Sequence, residues 1–280
     1  MLHQKLLIIL LIFIISIANV YGQEIRSTIV EADGYVYLSE DKTIRQIRNE
    51  ARMEAKRLAI ERGEVHIQNL TTVENYKLKY DIIKSSAEGM LKILDYKDYG
   101  FTTDNRYHYW IKAEIRYALK SKPPQILGEA KAPELSGPLT VKVWSAKDKY
   151  KAGEQMKFYM RGNKDFYARV IYIDAKDNKL QLVPNQYNSN SYFQGNKDIE
   201  LPAPGSGFSI TVSPPFGKER VVVYSSTKPL GDIIATSGGG PMLQVNDDMS
   251  VIEVQTRGVR IDKNESAEFF ETSCKIKTSK

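Results

Sequence analysis

Segments with strand-forming sequence recur about every 8 to 15 residues across the second half of the chain, and turn-forming residues separate them. The seven segments are Leu139–Trp144, Met156–Arg161, Tyr167–Asp174, Lys179–Val183, Lys197–Leu201, Phe208–Val212 and Arg220–Ser226. Short strands at this spacing are typical of a β-sandwich or an open barrel. The sequence therefore predicts an all-β, sandwich-like domain over residues 139–235.

Residues 23–120 change their hydrophobic period several times. Apolar residues three and four apart over Ile44–Arg62 predict a helix, with Asp41 or Thr43 as its cap and Gly63 as its end. The other predicted elements are strands over Ile29–Leu38, Val65–Val73, Met90–Tyr99 and Tyr107–Leu119, and a short helix over Tyr80–Ala87. The order β-α-β-α-β-β predicts an α+β domain in which the long helix packs on a sheet.

The last predicted strand of this domain alternates along its length. One face carries Tyr107, Tyr109, Ile111, Ala113, Ile115 and Tyr117, and the other carries His108, Trp110, Lys112, Glu114 and Arg116. Tyr35 and Tyr37 likewise share one side of the first strand. Alternation of this kind predicts strands with one buried face.

Several blocks of the first domain resemble a known family. They are the Ala-rich charged helix over 44–62, IQNLTTVEN at 67–75, IIKSSAEG at 82–89, and the closing strand over 109–115. Together, over about 27–119, they resemble the amino-terminal domain of flagellar assembly protein T and related small outer-membrane lipoproteins. The resemblance implies a periplasmic protein-interaction domain without catalytic residues.

The second domain carries its own ordered motifs. They are YKAGE at 150–154, the aromatic strand at 166–173, Leu-Val-Pro-Asn at 182–185, the segment at 199–202, and PPFGKE at 214–219. Over about 139–233 they resemble the bacterial domain of unknown function 4384 family. The resemblance implies an accessory module found beside envelope domains, and it implies no chemistry.

The first 22 residues have the pattern of an export signal. Lys5 precedes an apolar run over Leu6–Ala18, and Val20 and Gly22 suit cleavage before Gln23. The run is short for a transmembrane helix, which needs about 20 apolar residues. We therefore expect an exported protein, periplasmic or associated with the outer envelope, with no membrane span after cleavage; an uncleaved anchor is the alternative.

The chain has one cysteine, Cys274, among 280 residues. Lipid attachment would need a cysteine at the cleavage point, and a disulfide within the chain would need a second one. Cys274 is therefore predicted to be a half-buried strand residue, and an intermolecular disulfide is the alternative.

The overall composition and the proline- and glycine-rich segments complete the predicted domain organisation. With 42% apolar and 26% charged residues, the chain is globular in composition, which excludes disordered, collagen-like and multi-span membrane classes. Proline and glycine mark a linker at 121–138, and three glycines mark a hinge near 238–241. The predicted plan is a signal peptide (1–22), an α+β domain (23–120), the linker, the sandwich (139–235), and a hinge with short C-terminal strands (236–280). Those strands are Val251–Gln255, Val259–Ile261 and Glu268–Ile276.

The charge pattern argues against a nucleic-acid partner. The formal net charge is +6, from 40 basic and 34 acidic residues, and the excess is scattered singly through the middle of the chain. Nucleic-acid binding favours clustered basic residues interleaved with aromatic ones.

No motif predicts an active site. His66 and His108, the histidines outside the leader, lie far apart without a Cys or His companion at metal-ligand spacing. No G-x-S-x-G elbow occurs. Asp174 with Asp177, and Asp247 with Asp248, fall in predicted turns, where aspartate usually bonds its own backbone. We expect no catalytic residue, no metal and no cofactor.

The most suggestive surface is the loop at 184–195, with Asn185, Tyr187, Tyr192 and Phe193. Aromatic rings and amides of this kind bind sugar rings and form protein hot spots. An ordinary connection, with Tyr192 and Phe193 folded back onto the sandwich, is the alternative. The sequence as a whole indicates an exported, non-catalytic envelope protein that acts through contacts with other envelope proteins in assembly or scaffolding. A binding module for peptidoglycan or surface glycan is the alternative, and a hydrolase is a distant one.

Overall fold

Antiparallel strands dominate the fold, which a computed structural model describes over residues 24–72, 91–117, 137–187, 189–237, 242–262 and 265–280. The helices in these ranges are α1 (Ile44–Thr72) and α2 (Met249–Thr256). The strands are β1 (Ile25–Tyr37), β2 (Leu91–Phe101), β3 (Arg106–Tyr117), β4 (Val141–Ser145), β5 (Lys149–Lys151), β6 (Gln155–Met156), β7 (Phe158–Gly162), β8 (Phe166–Ile173), β9 (Lys179–Val183), β10 (Tyr192–Phe193), β11 (Ile199–Leu201), β12 (Ile210–Thr211), β13 (Lys218–Ser226), β14 (Thr236–Ser237), β15 (Leu243–Val245) and β16 (Ser266–Ser279). Neither helix is long and apolar enough to cross a membrane.

One sheet of eleven strands runs through the described part of the molecule. Its order is β14-β15-β9-β8-β13-β16-β1-β3-β2, with β10 paired to β8 and β5 paired to β16. Two small sheets, β11-β7-β4 and β12-β6, accompany it. Each of the seven strands predicted between 139 and 226 overlaps an observed strand, so the β-rich, sandwich-like prediction for this region is confirmed.

The C-terminal strand β16 lies in the middle of this sheet and joins its two halves. Its first half pairs with β1, with Phe270 opposite Arg26, while its longer part pairs with β13, with Cys274 opposite Val221. The predicted strand at 268–276 is therefore real but longer than expected. Strands that precede the predicted linker at 121–138 and strands that follow it thus belong to one sheet. The predicted domain limits stay predictions.

Helix α1 packs on β1 and β3. The predicted cap is Thr43: its hydroxyl accepts from the Gln46 backbone N–H at 3.3 Å, and the Gln46 side chain accepts from the Thr43 N–H at 2.8 Å. The buried positions of the helix lie four residues apart, with Gly63 between the last two apolar ones, and most of them are small; they are Ile47, Ala51, Ala55, Ala59 and Ile67. Helix and sheet are so close that a Cβ on Gly34 would lie 2.0 Å from the Ala51 carbonyl oxygen.

The helix continues past Gly63, which corrects two predictions. Gly63 does not end α1, and residues 65–72 are helical, not a strand. A Cβ at Gly63 would lie 2.3 Å from Cδ1 of Ile115, so this glycine allows close packing of helix on sheet. Burial of Ile67 on the same face extends the helix further. The predicted short helix at 80–87 lies outside the described residues.

Two further apolar cores lie on opposite faces of the large sheet. One fills the space between β8, β13 and β16 and the small sheets, and includes Phe158, Phe166 and Phe270. The other lies beneath α2 and includes Tyr224 and Phe269. Residues 251–255, predicted as a strand, belong to α2, where burial of Ile252 and Thr256 follows the period of a helix. Residues 259–261 form no strand, although Val259 is buried in this core.

A buried ion cluster ties α2 to the sheet. The Arg257 side chain is fully buried at the end of α2; its Nε donates to Glu114 of β3 at 2.8 Å, and its Nη2 donates to Glu271 of β16 at 2.6 Å. Ser27 of β1 donates to the same Glu114 at 2.9 Å. Burial lowers the pKa of Arg257, but the two carboxylates outweigh it and the pKa is raised overall. Three strands and one helix therefore meet in this cluster.

A second polar contact fixes the start of the sandwich region. The Leu139 backbone N–H donates to the Glu268 carboxylate, while Arg26 of β1 donates to the Leu139 carbonyl at 3.0 Å. Lys164 reaches the same Glu268 at 2.9 Å. The chain that leaves the predicted linker is thus held by β1 and β16 together.

Replacing Arg257 should lower stability strongly. Arg257→Met leaves fully buried Glu114 with only the partly exposed Arg116 as a cation and removes the partner of Glu271, and breaking a buried ion pair costs about 3–5 kcal/mol. The free energy of unfolding from urea titration measures the loss. The matched control is Arg260→Met, whose ion pair with Asp232 is exposed and contributes less than about 1 kcal/mol. Equal stability of the two variants would contradict the role given to Arg257.

Candidate functional site

Of the four predicted interaction residues in the loop at 184–195, two are packed inside the structure and two are exposed. Asn185 is buried; its amide donates to the Leu182 carbonyl at 2.7 Å, and its side-chain oxygen accepts from the Tyr187 N–H at 2.8 Å. Phe193 packs against the sandwich core, with its ring 5.8 Å from that of Phe166. Both residues therefore shape the loop.

Tyr187 and Tyr192 present the exposed rings of the same loop. Tyr187 is 61% exposed and its ring lies 5.7 Å from that of Phe208. Tyr192, 42% exposed, donates its hydroxyl to Asp165 at 2.6 Å, and its ring meets Tyr167 edge-on at 5.2 Å. The hydrogen bond raises the pKa of Tyr192 and lowers that of Asp165. The loop stays a predicted interaction surface, reduced to two tyrosines.

A larger aromatic surface lies on the outer face of β1, β3 and β2, away from α1. The His108 ring stacks between Tyr35 and Tyr99, with both ring centroids 4.4 Å away. The Arg106 guanidinium lies 4.4 Å from the centre of the Tyr35 ring, and Lys97 Nζ lies 4.5 Å from that of Tyr99. We name these five residues the aromatic–cation stack.

Hydrogen bonds hold the stack in place. His108 Nε2 lies 2.7 Å from the Asp33 carboxylate, and Arg106 Nε donates to Asp104 at 2.7 Å. The hydrogen bond that Arg106 donates to Asp104 raises the pKa of Arg106. Burial, and then the charge of Asp33, raise the pKa of Tyr35. The rings of both tyrosines thus have partners within the molecule, and yet Tyr35 and Tyr99 remain 39% and 50% exposed.

Exposed aromatic residues beside the stack extend this surface, and the segment after α2 sets its limit. Tyr37, 70% exposed, lies beyond the stack at the end of β1. Trp110 follows His108 on the same face of β3, and Lys112 Nζ lies 6.0 Å from its ring. Lys112 also donates to the Val259 carbonyl at 3.1 Å, where the segment after α2 begins to cover the sheet. The open surface therefore ends at Lys112.

The sequence pattern assigned most residues of the stack to strands, but it did not predict that they contact one another. It put His108 and Trp110 on one face of a strand, and Tyr35 and Tyr37 on one side of another. The missing information was the register, which sets Tyr35 opposite His108, and the two irregularities in β2, one between Ile93 and Asp95 and one between Asp98 and Gly100. Aromatic residues at alternate positions in both β1 and β3 were the sequence pattern that could have indicated this surface.

The residues considered for chemistry lie apart. His66 lies on α1 rather than on the predicted strand; burial lowers its pKa, and its Nε2 has no hydrogen-bond partner among the described residues. His108 belongs to the stack. Asp174 accepts from the backbone N–H groups of Lys176 and Asn178, as expected for a turn. Within the described ranges no three His, Cys, Asp or Glu side chains group as metal ligands. The absence of catalysis stays a prediction.

Comparison with known proteins identifies one region of the chain. Residues 149–229 match the family model described as "Domain of unknown function (DUF4384)". The match falls within the region at 139–233 whose motifs resemble that family, which confirms the second resemblance. The resemblance of the first region to flagellar assembly protein T stays a prediction. No curated protein and no solved structure matches the chain.

Cys274 should react slowly. It lies half-buried in β16, as predicted, and burial raises the pKa of its thiol to about 11, against about 8.5 for a free cysteine. Since the thiolate is the nucleophile, alkylation by iodoacetamide at pH 8 should be on the order of 100-fold slower than for free cysteine. The rate should rise with pH and reach the free value in urea. Rapid alkylation of the folded protein would contradict this.

Proposed function

We propose that this protein is an exported, non-catalytic component of the bacterial envelope that binds another envelope protein through the outer face of β1, β3 and β2. The observation that carries the proposal is the aromatic–cation stack, together with exposed Tyr37 beside it. Tyrosine, tryptophan and arginine are the residues most enriched at protein hot spots. Here Tyr37, Trp110 and Arg106 share one surface.

The chemistry of this face favours a protein over a sugar ligand. Sugar rings bind aromatic side chains through the flat face of the ring, and in the stack Tyr35 and Tyr99 each contact His108 and a cation with their faces. What is offered to a partner is hydroxyl groups and cations on a preorganised, rigid surface. Such groups bind backbone carbonyls and carboxylates, and little side-chain entropy is lost on binding.

The remaining parts of the proposal rest on the sequence. The leader at 1–22 supports export to the periplasm or outer envelope, and the two resemblances support an envelope setting. In this view an α+β region, with α1 packed on β1 and β3, presents the binding face. The sandwich region, which carries the DUF4384 match, acts as its rigid support.

Glycan binding is the second candidate. It rests on Tyr187 and Tyr192, which expose 61% and 42% of their surfaces in one amide-containing loop. A planar ring open to solvent is the element that binds a sugar. This surface is smaller than the stack, and it lies on the sandwich region.

Two double variants distinguish the candidates. Tyr37→Ala with Tyr99→Ala should reduce recovery of a stoichiometric partner from cross-linked envelopes by about 10-fold or more, because each hot-spot residue contributes above about 1 kcal/mol. Tyr187→Ala with Tyr192→Ala, the matched control, should leave recovery within about twofold. The measurement is quantitative mass spectrometry of the captured material from both variants and the unmodified chain.

Other outcomes would replace the proposal. If the protein sediments with peptidoglycan and only Tyr187→Ala with Tyr192→Ala abolishes this, the protein would be a glycan-binding module. Hydrolytic turnover that His108→Ala abolishes would establish an enzyme. Equal recovery of the partner by both variants would exclude the outer face as its binding surface.

Export has a separate test. The mature protein should begin at Gln23 and appear in the periplasmic or outer-membrane fraction, because the run at 6–18 is short for a stable span. Amino-terminal sequencing of the fractionated protein measures both. An intact leader in the inner-membrane fraction would show an anchored protein instead.

A further inference from the structure

A groove separates α1 from β2 on the face of the sheet opposite the aromatic–cation stack. Helix α1 packs on β1 and β3, while β2 contributes to their shared core only through partly buried Leu91. The groove that remains has a volume of about 640 Å³, within the range of ligand-binding clefts. It is lined by Arg45, Arg48, Asn49, Arg52, Lys56, Ile93, Leu94, Asp95, Tyr96 and Tyr109.

The helix wall of the groove is basic and largely unneutralised. Arg48 pairs with Asp98 at 2.6 Å, but Arg45, Arg52 and Lys56 make no ion pair with any described residue. The acidic residues of the same helix bind elsewhere: Glu50 pairs with Lys42, and Glu54 pairs with Arg57. Asp95 is the single carboxylate among the lining residues.

The floor of the groove is apolar. Ile93 lines it, and the ring of Tyr96, 59% exposed, stacks on that of Tyr109 at 5.9 Å and an interplanar angle of 2°. Leu94 borders the groove, but it also packs against the core beneath α2. A row of cations beside an apolar floor suits a ligand with carboxylates on one side and apolar groups on the other. A phosphate polymer or an acidic glycan would leave the floor uncovered.

The spacing of the cations favours a helical ligand. Arg45, Arg52 and Lys56 fall on one side of α1 at intervals of one and two turns, spanning about 16 Å. Carboxylates at positions i, i+7 and i+11 of a second helix have the same spacing. Strand addition to β2 fits less well, because the irregular pairing of β2 disturbs the regular edge that an added strand needs.

From these observations we propose that the groove between α1 and β2 binds an acidic, amphipathic helical segment of a partner protein. Its carboxylates pair with Arg45, Arg52 and Lys56, and its apolar side chains cover Ile93 and Tyr96. The site is independent of the aromatic–cation stack. The two lie on opposite faces of the same three strands, so each can be lost without the other.

A pair of synthetic peptides tests the proposal on the full chain. One peptide carries Glu at positions i, i+7 and i+11 with Leu along the adjacent side, and the other replaces Glu by Gln. Fluorescence anisotropy should show binding of the Glu peptide that weakens with added salt. Arg45→Gln, Arg52→Gln and Lys56→Gln together should weaken it about 10-fold, since each exposed ion pair contributes a factor of roughly two to three.

Matched variants separate this site from general charge effects. Arg57→Gln lies on the same helix outside the groove and should leave the affinity within about twofold, as should Tyr37→Ala with Tyr99→Ala on the opposite face of the sheet. Arg45→Lys with Arg52→Lys keeps the charge and should retain binding, and circular dichroism should show every variant folded. Equal binding of the Gln peptide, equal loss on Arg57→Gln, or competition by polyphosphate but no peptide binding would each overturn the proposal.

Discussion

The hydrogen-bonded pairing of β16 on both of its edges is the constraint on which the molecule depends. Residues 266–271 complete the sheet of β1, β3 and β2, while residues 269–277 complete that of β13 and β8. A strand must satisfy its backbone groups on both edges when it is buried. Since β1 and β13 occupy those edges, the two regions share one sheet, and Arg26 and Glu268 hold the entering chain at Leu139 across the same junction.

The buried cluster around Arg257 follows from that sheet. Glu114 and Glu271 lie on different strands, and only the pairing of β3, β1 and β16 brings both within reach of one guanidinium. The cluster places α2 and the following segment over the middle of the outer face. It leaves the outer ends of β1, β3 and β2 uncovered, and this is where the aromatic–cation stack lies.

The three strands at this end therefore offer two different surfaces. On the outer face, rigid rings and cations are held by His108 and Asp33. On the inner face, the packing of α1 by small residues such as Ala51 and Gly34 brings the helix close to β1 and leaves room beside β2. The width of the groove thus follows from the residues that bury the helix.

The sequence by itself determined the strands of the second region, the alternation of β3 and the match to the DUF4384 family, because each depends on residues close together in the chain. It left Asp41 and Thr43 as alternative caps of α1, and the hydrogen bonds with Gln46 select Thr43. It placed the end of α1 wrongly at Gly63 and a strand at 251–255, because glycine packing against Ile115 and burial of Ile252 depend on distant chain segments. It selected Tyr187 and Tyr192 but could not assemble Tyr35, Tyr99 and His108. Only the tertiary structure decided that assembly, since the register between strands sets which side chains become neighbours, and a shift of one residue would reverse their faces.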